Sequence, residues 1–188
     1  MRKRNSIIIA ISGPAGSGKT TYAKILAERL GLRYFSAGSI FREIARRRGL
    51  TLEELSKIAE KDPSIDLEID RRTLEEASKG NVIVEGHLVA WIVKDIADVK
   101  IYVKAPLTER VKRIAARENR PIDDVLRETV SRENSQRRRF YDYYGIDIRD
   151  LSIFDLVIDT AKLNINDVIE IIECFIRKYL SYNKEGSN

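Results

Sequence analysis

Residues 13–20 of the chain read GPAGSGKT and match the spacing G-x-x-x-x-G-K-[ST] at every position. The match directly follows the apolar run 6–11 and directly precedes a helical pattern that begins at Thr20. A strand, a glycine-rich turn and a helix in this order point backbone N–H groups and the positive helix end at an anion. The segment therefore predicts a phosphate-binding loop on a parallel α/β sheet.

The residue types inside this loop indicate which anion it binds. Lys19 can reach the β- and γ-phosphates of a nucleoside triphosphate, and the hydroxyl of Thr20 can bind Mg²⁺. A chance match in a glycine-rich turn is the alternative, and the flanking strand and helix argue against it. We expect ATP and Mg²⁺ here. The expected binding residues are Gly13, Pro14, Ala15, Gly16, Ser17, Gly18, Lys19, Thr20 and Thr21.

The rest of the sequence alternates short β-rich runs with helical patterns, as parallel α/β domains do. The 188 residues suit a single domain, and near-continuous apolar runs are typical of strands buried on both faces. We therefore expect an α/β fold with a five-stranded parallel sheet flanked by helices. The predicted strands are 6–11, 33–36, 81–85, 99–104 and 154–158, and the predicted helices are 20–30, 39–48, 52–61, 65–77, 106–117, 121–144 and 166–180.

The last predicted helix carries the single cysteine of the chain, Cys174. Its apolar neighbours predict a core position, and one cysteine excludes an intramolecular disulfide. We therefore predict a reducing, cytoplasmic location. The expected packing side of this helix is Val168, Ile171, Ile172, Phe175, Ile176 and Tyr179.

The sequence predicts no membrane partner. The basic residues 2–4 precede an apolar run at 7–11, but this run is shorter than the roughly 7 to 15 residues of a signal-peptide core. No apolar stretch approaches the ~20 residues that span a bilayer. We expect a first strand at this position instead.

The formal net charge of +5 indicates polyanionic partners, either nucleotides or nucleic acid. A nucleotide-regulated RNA-binding protein is therefore one interpretation. Against it, acidic residues are interleaved with the arginines between 110 and 139, and no strand carries a signature of stacking aromatics. Free nucleotides are the expected partners, with no stable nucleic acid partner.

Two further segments would serve a kinase, which needs a place for the acceptor and must keep water from the moving phosphoryl group. Ser36 and Gly38 follow the second predicted strand, where they can meet an anion or a base edge. Arg42, one helical turn later, can grip an acceptor phosphate with two hydrogen bonds. The alternative is a helix N-cap followed by an exposed arginine.

The second segment is rich in arginine, the planar and always charged side chain that suits phosphate oxygens. Arg132 and Arg139 stand two turns apart on one predicted helix. For most of the single arginines, an exposed and solvated helix face is the alternative. The cluster consists of Arg110, Arg113, Arg117, Arg120, Arg127, Arg132, Arg137, Arg138 and Arg139.

Together with the glycine-rich loop, these segments resemble the cytidylate kinases of the short archaeal type, within the P-loop nucleoside monophosphate kinases. The resemblance extends from residue 7 to about residue 160. It implies a single kinase domain over 1–188, with an acceptor-binding segment at about 38–79 and a short lid at about 119–145. Further matching motifs are SAGSIFR at 36–42, IDLEIDRR at 65–72, VEG at 84–86 with Ala90-Trp91, and YGID at 144–147 before Asp155-Leu156.

The resemblance also assigns roles to individual residues. It implies catalytic roles for Lys19, Arg132 and Arg139. Consecutive helix residues point about 100° apart, so we expect either Asp70 or Arg72 to face the base of the acceptor and the others to bind phosphate or to form ion pairs. The residues that match acceptor-binding positions are Ser36, Gly38, Arg42, Asp70, Arg71 and Arg72.

Two residues at the end of the third predicted strand and shortly after it qualify this assignment. Glu85 is expected beside the loop, where it would hold Mg²⁺ together with Thr20; a solvent-facing acid at a strand end is the alternative. The family commonly has arginine where this chain has His87. A phosphate or base contact at that position is then missing or made by imidazole.

The resemblance implies phosphorylation of CMP, and also of dCMP, with ATP. We expect a monomer. A kinase for UMP, AMP or dTMP is the alternative. The Asp-Gly-Phe-Pro-Arg run of typical adenylate kinases does not follow the third strand, where the sequence reads EGHLV, and this favours a pyrimidine acceptor. No general base is expected, because the acceptor phosphate is already anionic.

Overall fold

The computed structural model describes residues 6–185, and the side chains up to residue 181. Within this range five parallel strands form one sheet in the order β2-β3-β1-β4-β5. The inner strands β1 and β3 are buried along their whole length, as expected for a parallel sheet covered on both faces. The strands are β1 (Ile8–Ser12), β2 (Arg33–Ser36), β3 (Val82–Gly86), β4 (Val99–Lys104) and β5 (Leu156–Asp159).

The pairing of β1 with its two neighbours determines where ligands can bind. Ile11 is in register with Glu85, and Ser12 with Gly86, so β1 and β3 end side by side. On its other edge β1 pairs with β4. The strand order therefore reverses at β1, and a crevice opens at the carboxyl ends of the strands, where open α/β sheets bind ligands.

Capping residues in the sequence mark where several helices begin and end. Gly31 and Gly145 close two of them in the left-handed conformation, at φ of 64° and 66°. Thr51 and Glu54 form a reciprocal capping box at the start of another. The helices are α1 (Lys19–Leu30), α2 (Ala37–Arg47), α3 (Leu52–Ala59), α4 (Ser64–Ser78), α5 (Val89–Ile92), α6 (Leu107–Glu118), α7 (Ile122–Tyr144) and α8 (Ile165–Glu185).

Two apolar layers hold these helices to the sheet. Alternate residues of a strand point to opposite faces. Ile8 and Ala10 therefore pack with residues of α2, α3, α4 and α5, whereas Ile9 and Ile11 pack with residues of α1 and α8. The predicted five-stranded parallel sheet with helices on both faces is confirmed.

The prediction for the last helix was wrong at two positions. Cys174 is exposed instead of buried, and Ile171 is 43% exposed. The buried stripe of α8 includes Ile169, Ile172 and Ile176. Cys174 lies two residues from both Ile172 and Ile176, about 200° around the helix, so it faces away from the core.

Two other features complete the comparison with the sequence. The short helix α5 was not predicted, because four residues are too few to show a repeating helical pattern in the sequence. No helix among residues 6–185 combines the length and the apolar character needed to cross a membrane.

Candidate active site

A cavity of about 640 Å³ opens at the ends of β1 and β3. The glycine-rich loop forms one end, α2 and α4 form the other, and α6 and α7 close it from the side. Its ionisable and amide lining residues are Lys19, Arg42, Asp66, Asp70, Glu85, His87, Arg117, Glu118, Arg120, Glu128, Arg132, Gln136 and Arg139.

The glycine-rich loop curls as the sequence predicts. Gly18 precedes α1 at φ 93°, and a Cβ at this position would lie 2.6 Å from Cε2 of Tyr22, so only glycine fits. The Lys19 Nζ donates to the Pro14 carbonyl at 3.2 Å and so folds back over the loop. The residues of the predicted set that line the cavity are Ala15, Gly16, Gly18, Lys19, Thr20 and Thr21; Gly13, Pro14 and Ser17 form the back of the loop.

The charge around Lys19 favours an anionic ligand. Burial lowers the pKa of Lys19 from its ordinary value, Glu85 opposes this shift, and the nearby Arg42 and Arg132 add to it. Three cations therefore face one region of the cavity. A polyanion bound among them would relieve their mutual repulsion.

Glu85 is a buried carboxylate at the end of β3, with only 2% of the residue exposed. Its Oε1 accepts hydrogen bonds from Thr20 Oγ1 at 3.1 Å, Tyr34 OH at 3.0 Å and Ser36 Oγ at 2.5 Å. Burial and the charge of Glu85 raise the pKa of Tyr34 to about 12, so its hydroxyl remains a donor. The sequence-based alternative of a solvent-facing acid is excluded.

The residues after β2 divide between the cavity and its wall. Ser36 caps α2 by accepting a hydrogen bond from Ser39 N at 3.2 Å, and it lies behind the wall, bonded to Glu85. Gly38 and Arg42 line the cavity, and a Cβ on Gly38 would lie 3.4 Å from Arg42 Nη1. Arg42 is exposed within the cavity, where its guanidinium can meet a ligand.

A buried ion pair joins α4 to α7. Arg139, only 2% exposed, donates from Nη1 to both carboxylate oxygens of Asp66, at 2.9 and 3.2 Å. Its guanidinium lies 5.9 Å from the ring of Phe41 and 5.7 Å from that of Phe140. Among the described residues, Arg139 Nε finds no hydrogen-bond partner, so the Asp66 pair does not use all the donors of this cavity-lining side chain.

Asp70 lies one turn after Asp66 on the same face of α4 and also lines the cavity. It accepts a hydrogen bond from the hydroxyl of Tyr144. Burial raises the pKa of Asp70 to about 6. This carboxylate can accept a hydrogen bond from an amino group of a ligand.

The comparisons with known proteins agree with this geometry. A sequence model of the "cytidylate kinase-like family" matches residues 8–162. A cytidylate kinase of Staphylothermus marinus is 62% identical over 93% of this chain and 98% of its own length, and one of Desulfurococcus amylolyticus is 59% identical over 95% and 97%. The chain belongs to the cytidylate kinase-like family.

A solved structure extends the comparison to the fold. The shikimate kinase of Acinetobacter baumannii, solved with shikimate, superimposes with a TM-score of 0.61 at 19% sequence identity, covering 93% of this chain and 94% of that chain. This likeness concerns the fold alone. It agrees with the parallel α/β fold described above.

Two predicted acceptor residues of this family member lie away from the cavity. Arg71 pairs with Glu75 on the exposed side of α4, and Arg72 lies 3.6 Å from Glu68 and 3.8 Å from Glu43. Neither side chain lines the cavity. Of the two residues expected to face the base, Asp70 thus lies on the cavity wall and Arg72 does not; the 100° step per residue turns Arg71 and Arg72 toward solvent and toward surface acids.

Arg132, by contrast, lies on the cavity wall as predicted. Its Nη1 lies 3.5 Å from Glu128 Oε1, a long and weak contact. In the part of the chain that the structure describes, its buried Nε has no hydrogen-bond partner. Arg132 therefore keeps donors available for a ligand.

Sequence reasoning missed the role of Asp66 and left that of His87 open. Asp66 holds Arg139, and its spacing of four residues from Asp70 was the available signal. His87 is half-buried on the cavity wall. Burial first, then Lys19 and three arginines, lower its pKa well below the usual range. A neutral imidazole thus stands where the family resemblance led us to expect arginine.

Proposed function

We propose that this chain transfers the γ-phosphoryl group of ATP to CMP, and also to dCMP, producing ADP and the nucleoside diphosphate. One observation carries the proposal: a single cavity has the phosphate-binding loop at one end and the cavity-facing polar groups of α2 and α4 at the other, with Arg132 and Arg139 of α7 in its lining. The name cytidylate kinase of the relatives supports the choice of acceptor. A monomer is the expected oligomeric state.

The donor end fits ATP with Mg²⁺. The hydroxyl of Thr20 and the carboxylate of Glu85 lie 3.1 Å apart, and both are hard oxygen ligands of the kind that Mg²⁺ prefers. Tyr34 and Ser36 orient the carboxylate from behind. When bound, Mg²⁺ supplies positive charge to the phosphate oxygens, and Lys19 adds its own.

The acceptor end offers one cation and one acid. Arg42 is suited to the monophosphate, since its exposed guanidinium can form two parallel hydrogen bonds. Asp70 is suited to the cytosine amino group, and a uracil carbonyl would leave its carboxylate unpaired. Residues 38–79 then act as the acceptor-binding segment, and 119–145 as the lid.

In the transfer step an oxygen of the acceptor monophosphate attacks the γ-phosphorus, and the bond to the bridging β–γ oxygen breaks. ADP leaves with the electron pair of that bond. Charge spreads over the equatorial oxygens of the moving group, where Arg132 and Arg139 can neutralise it. No side chain is assigned as a base, because the attacking oxygen is already anionic.

An acceptor panel tests the proposal. CMP, dCMP, UMP, AMP and dTMP are supplied with ATP and Mg²⁺, and ADP release is scored as kcat/KM. We expect the cytosine nucleotides to be the best acceptors. AMP or dTMP as the best acceptor would assign the chain another nucleotide, and ADP release independent of any acceptor would make it a hydrolase.

A further inference from the structure

Arg110 belongs to the arginine-rich segment, yet it lies against the glycine-rich loop instead of on the cavity wall. It is 6% exposed. Its Nε donates to the Ala105 carbonyl at 3.1 Å, its Nη1 donates to the Ala15 carbonyl at 3.0 Å, and both terminal nitrogens donate to the Glu133 carboxylate, Nη2 at 3.2 Å. Four of its five N–H groups are thereby used within the protein, which leaves little capacity for a phosphate.

The first turn of α6 also touches the loop directly. Gly16 has φ 76°, and a Cβ on it would lie 2.6 Å from the Arg110 carbonyl oxygen and 2.9 Å from Arg110 Cβ. No side chain fits between the two segments. Because close-packed groups transmit displacements, a shift of α6 at Arg110 moves the loop.

Glu133 connects this contact to α7. It follows Arg132, and consecutive helix residues point about 100° apart, so Glu133 meets Arg110 while Arg132 lines the cavity. Two turns later, Arg139 holds Asp66 of α4 at 2.9 Å. The two ion pairs thus attach α7 to both ends of the cavity.

We propose that Arg110 and Glu133 are a positioning pair that fixes α7 to the glycine-rich loop and so holds Arg132 over the donor phosphates. The proposal rests on the phosphoryl transfer proposed above. Neither side chain lines the cavity, so loss of the pair leaves ground-state nucleotide binding in place. It misplaces Arg132 in the transition state, and an error of about 1 Å there costs about 10²-fold in rate.

Steady-state kinetics of Glu133→Gln test the pair. Glu133 is partly exposed, and glutamine keeps its shape while removing the charge. We expect kcat to fall by about 10- to 100-fold, with both Michaelis constants close to wild type. The matched control is Asp124→Asn, which removes the acid of an exposed pair with Arg127 on the same helix and should leave kcat unchanged. A raised Michaelis constant for ATP with unchanged kcat would overturn the proposal, as would an equal loss in the control.

A second variant asks whether the two residues act as a unit. Arg110→Lys keeps a positive charge but loses the planar fork, so we expect it to lose as much kcat as Glu133→Gln. The double variant should lose no more than either single variant. Losses that multiply in the double variant would contradict a shared role.

Hydrogen exchange separates this proposal from the proposed function, because it needs no turnover. Glu133→Gln should speed amide exchange both in the loop 13–18 and in the segment 128–139, and Asp124→Asn in neither. Faster exchange in the helix alone would overturn the coupling, even if the wild type phosphorylates CMP. Faster exchange in both segments would support the coupling, even if the wild type accepts no CMP.

Discussion

The two ends of the cavity are constructed differently. The donor end is built mainly on one continuous segment, 13–21, whose backbone is shaped by glycines and by the start of α1, with Glu85 of β3 beside it. The acceptor end needs side chains from α2, α4 and α7, held together by long-range contacts such as Asp66 with Arg139 and Asp70 with Tyr144. A local segment can be recognised from its spacing, whereas a site assembled from three helices depends on which faces meet.

This difference has an energetic consequence. Replacing one side chain at the donor end of the cavity removes a contact to a ligand and leaves the loop backbone in place. Breaking the Asp66–Arg139 pair leaves a buried charge without its partner, which costs about 3–5 kcal/mol of stability. At the acceptor end, therefore, catalysis and folding share residues.

The largest expected effect compares the two arginines of α7. Alanine at Arg132 or at Arg139 should lower kcat by about 10³- to 10⁵-fold, because each neutralises charge that develops on the moving phosphoryl group, while calorimetry still detects nucleotide binding. Only Arg139→Ala should also destabilise the fold, by about 3–5 kcal/mol, since the one hydrogen bond of Arg132 within the described residues is a long contact with Glu128. Turnover assays and denaturant unfolding measure the two effects separately.

A double variant provides the control for this comparison. Asp66→Asn in the Arg139→Ala background removes the buried charge that was left behind, so stability should partly recover while kcat stays low. If Arg132→Ala destabilises the chain as much as Arg139→Ala, the contrast between a free and an anchored arginine is wrong. Equal losses in nucleotide binding and turnover would make both arginines ground-state anchors.

Lys19→Ala should have the next largest effect. Its charge can follow the migrating phosphoryl group, and removing one such preorganised group costs about 10²- to 10³-fold in kcat. The fold should be unaffected, because the Lys19 side chain makes its one described hydrogen bond to Pro14 of its own loop. A circular dichroism melt beside the ADP-release assay checks both statements. A near-normal rate would exclude the loop from the chemistry.

Arg42→Ala should act on one substrate only. A hydrogen-bonded charge is worth about 1.5–3 kcal/mol, so the Michaelis constant for CMP should rise by about 10- to 100-fold while that for ATP changes little. Arg72→Ala is the matched control, an arginine of the same segment that faces surface acids. A rise in the ATP constant alone would reverse the two subsites, and an equal effect of Arg72→Ala would restore the acceptor role that its position argues against.

The same contrast explains what the sequence could predict. The order of strands and helices, the loop and Glu85 beside Thr20 follow from local patterns and from the fact that parallel strands end at one edge. Arg71 and Arg72 share a motif with Asp70, yet helix rotation separates them from it. Two other features depend on how α4, α6 and α7 pack. Arg139 forms a buried ion pair with Asp66, and Arg110 points toward the loop and away from the cavity. No spacing within one helix encodes that packing.

The smallest expected effect is a pH dependence of stability that comes from Asp70, at the acceptor end of the cavity. Burial raises the pKa of Asp70 to about 6, above the value of about 3.9 for an exposed aspartate, so the folded chain binds this proton more tightly than the unfolded chain. The stabilisation is complete below about pH 4 and is lost as the pH rises through about 6. Asp70→Asn removes this titration and keeps an acceptor for Tyr144, so the unfolding free energy of the wild type relative to the variant should decline between pH 4 and 6 and stay level above pH 7.

Asp123→Asn, which changes an exposed acid on α7, is the control and should follow the wild type. Chemical denaturation across this range measures the difference in unfolding free energy. Parallel curves for the wild type and Asp70→Asn would show that Asp70 is solvated like a surface acid. That result would contradict the argument that Asp70 is desolvated in order to bind the amino group of a base.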